Sequence, residues 1–261
     1  MAEPSRDAFT QCGPEKPVGS VGVAGAAGTP RRWPDVILVN GPSSAGKTTL
    51  CRALQAAISH PYLCLGFDDF VFYSAPRYYR GGDSPAQTET DEFILQGARL
   101  LTTSSPGEPK SVTAVFGPVF RRLIDAIAPA VRTIVDMGNP VIFDHVLHDC
   151  DLFESCQKAF NGLAVFSVGV VCPIDILEAR ERARGDRVIG RARGLVDVVH
   201  SFCSYDIVVD TGRAQVDACV AEIMAGLASD WTGVLQDLNL RSPRPEQGHR
   251  ADAAPTRPTA L

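Results

Sequence analysis

Hydrophobic positions along the chain fall into two alternating textures. Short apolar runs rich in β-branched residues, "DVILV" (35–39), "NPVIFD" (139–144), "AVFSVGVVC" (164–172) and "YDIVVD" (205–210), are bounded by turn residues and lack a polar face. That is the pattern of strands buried on both sides. A further run ending at Gly66 in "LCLGFDDFVF" predicts a strand after the first helix. Between these runs, Lys47–Ile58, Val119–Asp136, Ile174–Ala183 and Val216–Leu227 carry apolar residues at helical spacing. The alternation predicts an α/β fold with a parallel sheet and crossover helices. The stretch "TTSSPGEPKSVT" (Thr102–Thr113) has no periodicity and is expected to be an exposed loop. No internal repeat interrupts this order.

The flanks differ in character. Residues 1–33 are rich in Gly, Pro, Ala and Ser, and the chain from about Leu240 onward is similar. Too few large apolar side chains stand there to offset the entropy of ordering them. The expected organisation is a disordered leader over 1–33, one domain over 34–232 and a disordered tail over 233–261. With 261 residues and 45% hydrophobic content, the middle is long enough for a full α/β core.

Charge narrows the function classes. The net charge of −5 argues against a nucleic-acid partner, because a phosphate backbone rewards clustered positive charge. The eight cysteines form no CxxC pair and mostly sit in apolar settings, as buried reduced thiols do. The N-terminal residues show no signal-peptide pattern, and no apolar run reaches membrane-spanning length. A cytoplasmic protein without a membrane partner is expected.

The first apolar run leads into "GPSSAGKT", a full G-x-x-x-x-G-K-[ST] match at Gly41, Gly46, Lys47 and Thr48, placed after a predicted strand and opening a predicted helix. The segment Gly41, Pro42, Ser43, Ser44, Ala45, Gly46, Lys47, Thr48 and Thr49 is the candidate nucleotide cradle. Glycines let successive N–H groups point at an anion, and the helix N-terminus adds partial positive charge. Lys47 would reach the β- and γ-phosphates of ATP, and the Thr48 hydroxyl would bind Mg²⁺. A plain glycine turn is the competing reading, and four matched positions in the right context disfavour it.

Three further clusters bear on the chemistry. Asp68 and Asp69 follow the second predicted strand, where residues outside strand carboxyl ends face the ligand crevice. A carboxylate there would accept the proton of an attacking hydroxyl; equally, both could cap the following helix. Asp144 closes "NPVIFD" and is a candidate member of the Mg²⁺ shell. His145 and His148 lack the pattern of a zinc site, so packing or ordinary polar roles are favoured. Finally, "EARERARGDRVIGRAR" places Arg180, Arg182, Arg184, Arg187, Arg191 and Arg193 close together, with Gly185 and Gly190 as hinges. A phosphate-closing lid needs that composition. A solvated helix pairing Glu178 and Glu181 with arginines one turn on would share it. If the helix continues, Arg180, Arg184 and Arg187 lie on one face and are preferred over Arg182.

The segments "VILVNGPSSAGKT", "LGFDDF", "FGPVFRRL", "VIFDHV", "VGVVC", "EARERARGDRV" and "VVHSFCSYDIVVDT" together resemble the chloramphenicol phosphotransferase-like kinases. The resemblance implies a P-loop NTPase three-layer αβα sandwich related to nucleoside monophosphate kinases and shikimate kinase. It also implies ATP and Mg²⁺ as cofactors and a small-molecule hydroxyl acceptor. By the same resemblance Asp68 is the base, Arg180, Arg184 and Arg187 contact phosphates, and Asp210 with Thr211 lie near the adenine. Pro42 stands where the family often has glycine, and residues between Phe70 and Gly117 have no close match, so the acceptor pocket is the divergent part. A regulatory nucleotide-binding switch would share the P-loop without an acceptor. A nucleoside or nucleotide kinase would differ only in that pocket, where Tyr73, Arg77, Tyr78, Tyr79 and Arg80 are available.

Overall fold

The computed structural model describes residues 33–74, 95–104, 106–185 and 188–236. The chain runs β1 (Val36–Asn40), α1 (Lys47–Ala57), β2 (Leu63–Gly66), α2 (Phe67–Ser74), β3 (Ala98–Thr103) and β4 (Ser111–Phe116). It continues through α3 (Pro118–Asp136), β5 (Val141–His145), α4 (Cys150–Ala159) and β6 (Val165–Val171). The last elements are α5 (Ile174–Arg184), α6 (Arg191–Val196), β7 (Ile207–Asp210), α7 (Val216–Ala228) and a 3₁₀ turn at Val234–Gln236.

Five strands form one sheet in the order β2-β5-β1-β6-β7. Every pairing in it is parallel. Strand β1 is central and buried throughout, and its side chains divide between the faces. Val36 and Leu38 join Phe120, Ile124, Val131 and Phe143 beneath α3 and α4. Ile37 and Val39 join Leu50, Leu54, Phe166, Leu177 and Ile223 beneath α1, α5 and α7. Covered on both faces, the strands have no use for a polar side, which is why their sequences read as unbroken apolar runs. The result is a three-layer αβα sandwich. No helix among the described residues is long and apolar enough to cross a membrane.

The expected loop at Thr102–Thr113 is corrected at both ends: Thr102, Thr103, Ser111, Val112 and Thr113 are paired strand residues of an antiparallel hairpin in which Ala98 faces Phe116 and Thr103 faces Ser111. Helix α6 lies against β4, with Gly190 and Gly194 meeting its backbone. The hairpin therefore packs against a partner distant in sequence, and the polar turn "SSPGEPK" dominates its local pattern.

Packing also runs past residue 232. Leu235 is 1% exposed, and its carbonyl accepts a hydrogen bond from Gln157 Nε2 at 2.8 Å. At the other end Trp33 stacks on His60 with ring centroids 6.1 Å apart. Residues 1–32 and 237–261 lie outside the described chain. Leu235→Ala should lower unfolding free energy by about 2–4 kcal/mol, as for other buried leucines. A urea midpoint equal to that of the parent would show that Val234–Gln236 is dispensable.

Candidate active site

The P-loop begins where β1 ends. Gly41 passes so close to β6 that a Cβ there would sit 2.5 Å from the Val170 carbonyl. Gly46 has φ +82°, in the left-handed region that favours glycine, and it is the residue preceding α1. Lys47 follows as the first residue of α1, with its Nζ donating to the Pro42 carbonyl at 3.0 Å. That bond arches the loop over the lysine. The loop's base is held by Asn40, whose Nδ2 donates to the Val199 carbonyl and to Tyr205 Oη, each at 2.7 Å. Asn40 Oδ1 also accepts from the Leu147 amide at 3.0 Å. On the far side Thr211 Oγ1 donates to the Ala45 carbonyl at 2.7 Å.

Asp144 sits at the end of β5, paired in register beside β1. Its Oδ2 accepts from Thr48 Oγ1 at 2.6 Å, and its Oδ1 lies 4.0 Å from Lys47 Nζ. Burial pushes the Asp144 carboxyl above the usual carboxylate range; Lys47 and the Thr48 hydroxyl oppose that shift.

The two neighbouring aspartates at the start of α2 have different surroundings. Asp69 Oδ2 accepts from the Gly66 amide at 2.7 Å, so it braces the β2–α2 turn. Asp68 lines the cleft. That cleft is bordered on the phosphate side by Ser43, Ser44, Gly46, Lys47, Thr48 and Thr49. Phe67, Val146, His148 and Leu195 line it with Asp68, Asp144, Arg184 and Arg191. Pro42 and Ala45 contribute backbone rather than lining.

The arginines separate in a way that spacing did not show. Helix α5 ends at Arg184, and Gly185 follows with φ 68°. Extrapolating a helical face to Arg187 therefore fails at Gly185, and Arg187 itself lies outside the described residues. Arg180 turns toward β7, where its Nη2 donates to the Thr211 carbonyl at 2.7 Å, and Asp210 accepts from the Gly212 amide at 2.9 Å. Arg184 lines the cleft together with Arg191, a member of the arginine cluster that helical spacing did not single out. The acidic partners differ as well. Glu178 pairs with Arg193 at 2.6 Å, and Glu181 is fully buried on backbone amides rather than solvated beside an arginine.

Both histidines pack among aromatic rings. His145 lies between Phe67 and Phe143, with centroids at 5.4 and 4.7 Å, and its Nδ1 accepts from the Val146 amide at 2.8 Å. Burial, aided by Lys47, pushes its pKa down to about 3. His148, between Phe67 and Phe116, is also pushed well down, first by burial and then by Arg191. Below pH 6.5 the unfolded chain takes up protons that these imidazoles refuse, so stability falls as pH drops, for His145 from about 6.5 toward about 3. One such histidine contributes a slope approaching about 1.4 kcal/mol per pH unit. His145→Asn should flatten the slope of unfolding free energy between pH 6 and 5. A slope equal to the parent's would remove His145 from the acid response.

A G-x-x-x-x-G-K-T loop at the carboxyl edge of a five-stranded parallel sheet, in a cleft lined by Asp68, Asp144, Arg184 and Arg191, defines the class of P-loop α/β proteins. The chain belongs to the chloramphenicol phosphotransferase-like family, whose model matches residues 34–228. A Mycobacterium tuberculosis protein named as a candidate O-phosphotransferase is 29% identical over 204 residues, covering 77% of this chain and 84% of that protein. Solved structures with a similar chain path include a gluconokinase from Sinorhizobium meliloti, at 18% identity, TM-score 0.48, and coverage of 76% and 94%. A shikimate kinase from Acinetobacter baumannii gives 13% identity, TM-score 0.42, and coverage of 74% and 92%.

Proposed function

We propose that the protein is an ATP-dependent kinase that transfers the γ-phosphoryl group to a hydroxyl of a small molecule, with chloramphenicol or a related compound as the first acceptor to try. The observation that carries this reading is the shared cleft. Asp68 stands in the same cavity as Lys47, Thr48 and Asp144, with Arg184 and Arg191 beside them. A protein that only switched on nucleotide binding has no need of that second carboxylate.

The residues divide the work. Lys47 and the loop amides hold the phosphates of ATP, and Asp68 takes the proton of the acceptor hydroxyl as its oxygen bonds to the γ-phosphorus. The bond from that phosphorus to the β–γ bridging oxygen breaks, and ADP leaves with the electron pair. Arg184 and Arg191 stabilise charge on the transferring group. Thr48 and Asp144 fit a magnesium site: a hydroxyl and one carboxylate at hydrogen-bond distance, suiting an ion that fills its shell with phosphate oxygens and water. When bound, Mg²⁺ would neutralise phosphate charge there. Phe67, Val146 and Leu195 offer the acceptor an apolar wall, and His148 offers a neutral imidazole. Arg77, Tyr78, Tyr79 and Arg80 lie outside the described residues, as does the side chain of Tyr73.

The test is incubation with ATP, Mg²⁺ and chloramphenicol, reading product mass directly. A gain of one phosphate supports both class and acceptor. ATP binding with no product from chloramphenicol or a panel of small alcohols, nucleosides and nucleotides would favour the regulatory switch.

A further inference from the structure

Arg191 reaches the cleft from a short helix, and its backbone has an unusual anchor. Glu181, on α5, is 0% exposed. Its Oε2 accepts from the Gly190 amide at 2.7 Å and its Oε1 from the Ala192 amide at 3.0 Å. One carboxylate thus holds the two peptide N–H groups flanking Arg191.

The same segment is fixed from its other side by β4. The Gly190 carbonyl accepts from the Val112 amide at 2.9 Å. Gly190 has φ +105°, and a Cβ there would meet the Lys110 carbonyl at 2.6 Å. The position read from sequence as a hinge is therefore held by its amide, its carbonyl and its lack of a side chain. Glu181 also stands three residues before Arg184 on the same helix, so it links the elements that carry both cleft arginines.

We propose that Glu181 is a positioning residue for phosphoryl transfer, setting the backbone of Arg191 so that its guanidinium meets the terminal phosphate of the bound nucleotide beside Arg184. This rests on the kinase reading above. A buried carboxylate serves here because each of its two oxygens accepts from one amide, and charge-assisted bonds of this type are the stronger kind. Glutamine in the same place keeps one acceptor but turns an NH₂ donor toward the other N–H, which displaces that peptide.

The test compares affinities of the full chain for ADP and for a non-hydrolysable ATP analogue, with Mg²⁺, by calorimetry. Glu181→Gln should weaken the triphosphate analogue about tenfold, with ADP within about twofold of wild type, as loss of one charged contact to the terminal phosphate implies. Combining it with Arg191→Ala should add little to Arg191→Ala alone, because one acts through the other. Glu181→Asp, whose carboxylate is one methylene short, should fall between and serves if the glutamine variant does not fold. Equal losses for both nucleotides, or additive effects with Arg191→Ala, would mean general damage and overturn the positioning role. So would a variant that matches a wild type preferring the triphosphate. A wild type that binds neither nucleotide would defeat the kinase reading, and this inference with it.

Discussion

Asp68→Asn is expected to lower the turnover of phosphoryl transfer by about 10²–10⁴-fold, the range of a general base, while affinity for ATP stays within about twofold. An amide oxygen in the same place cannot take up the acceptor's proton. The hydrogen bonds that hold Lys47 and Thr48 do not run through Asp68: Lys47 is bonded to the Pro42 carbonyl, and Thr48 to Asp144. Burial already raises the Asp144 pKa, and Asp68 adds to that by repulsion, so neutralising Asp68 eases ionisation at the phosphate end. The neighbour is the control. Asp69→Asn can still accept from the Gly66 amide and should keep most activity. Turnover measured against acceptor concentration decides the matter. An Asp68→Asn enzyme with parental turnover would move the base elsewhere, and the reverse ranking of the two variants would point to Asp69.

The residue pattern of "LGFDDF" alone leaves both aspartates as cap or base; the family resemblance implies Asp68 as the base, and in the fold Asp69 turns back on Gly66 while Asp68 lines the cleft. The P-loop was legible because its requirements are local: a strand, glycines at fixed spacing, and a helix whose first residue is Lys47. The core strands were legible for a similar reason, since burial on both faces writes itself into each run separately. The hairpin at Ala98–Phe116 escaped because what packs on β4, α6, comes from residues 191–196. The arginines escaped in part because helical spacing holds only while a helix lasts, and Gly185 ends this one. Glu181 had no distinguishing sequence signal beyond its place in an acidic–basic helix. Its partners are backbone amides, and those carry no residue identity.

Lys47→Ala should have the broadest effect: loss of most ATP affinity, and residual turnover reduced by at least about 10²–10³-fold, as when a preorganised donor to a developing anion is removed. The residue does two things that alanine cannot. It closes the loop on the Pro42 carbonyl, and it supplies the cation 4.0 Å from Asp144. Lys47→Arg should rescue little, since a planar fork on a longer stem does not replace a compact ammonium in a site where the lysine is only 8% exposed. A second consequence carries a definite sign. Asp144 has a raised pKa from burial, and Lys47 is the foremost influence lowering it. Without that cation the carboxyl holds its proton to higher pH. Magnesium-dependent nucleotide binding by the variant should therefore appear at higher pH than in wild type. Calorimetric titration with MgATP across pH 5–8 reads this directly. A variant whose weakened binding keeps the parental pH midpoint would separate Asp144 from Lys47 and leave the lysine acting on phosphate alone.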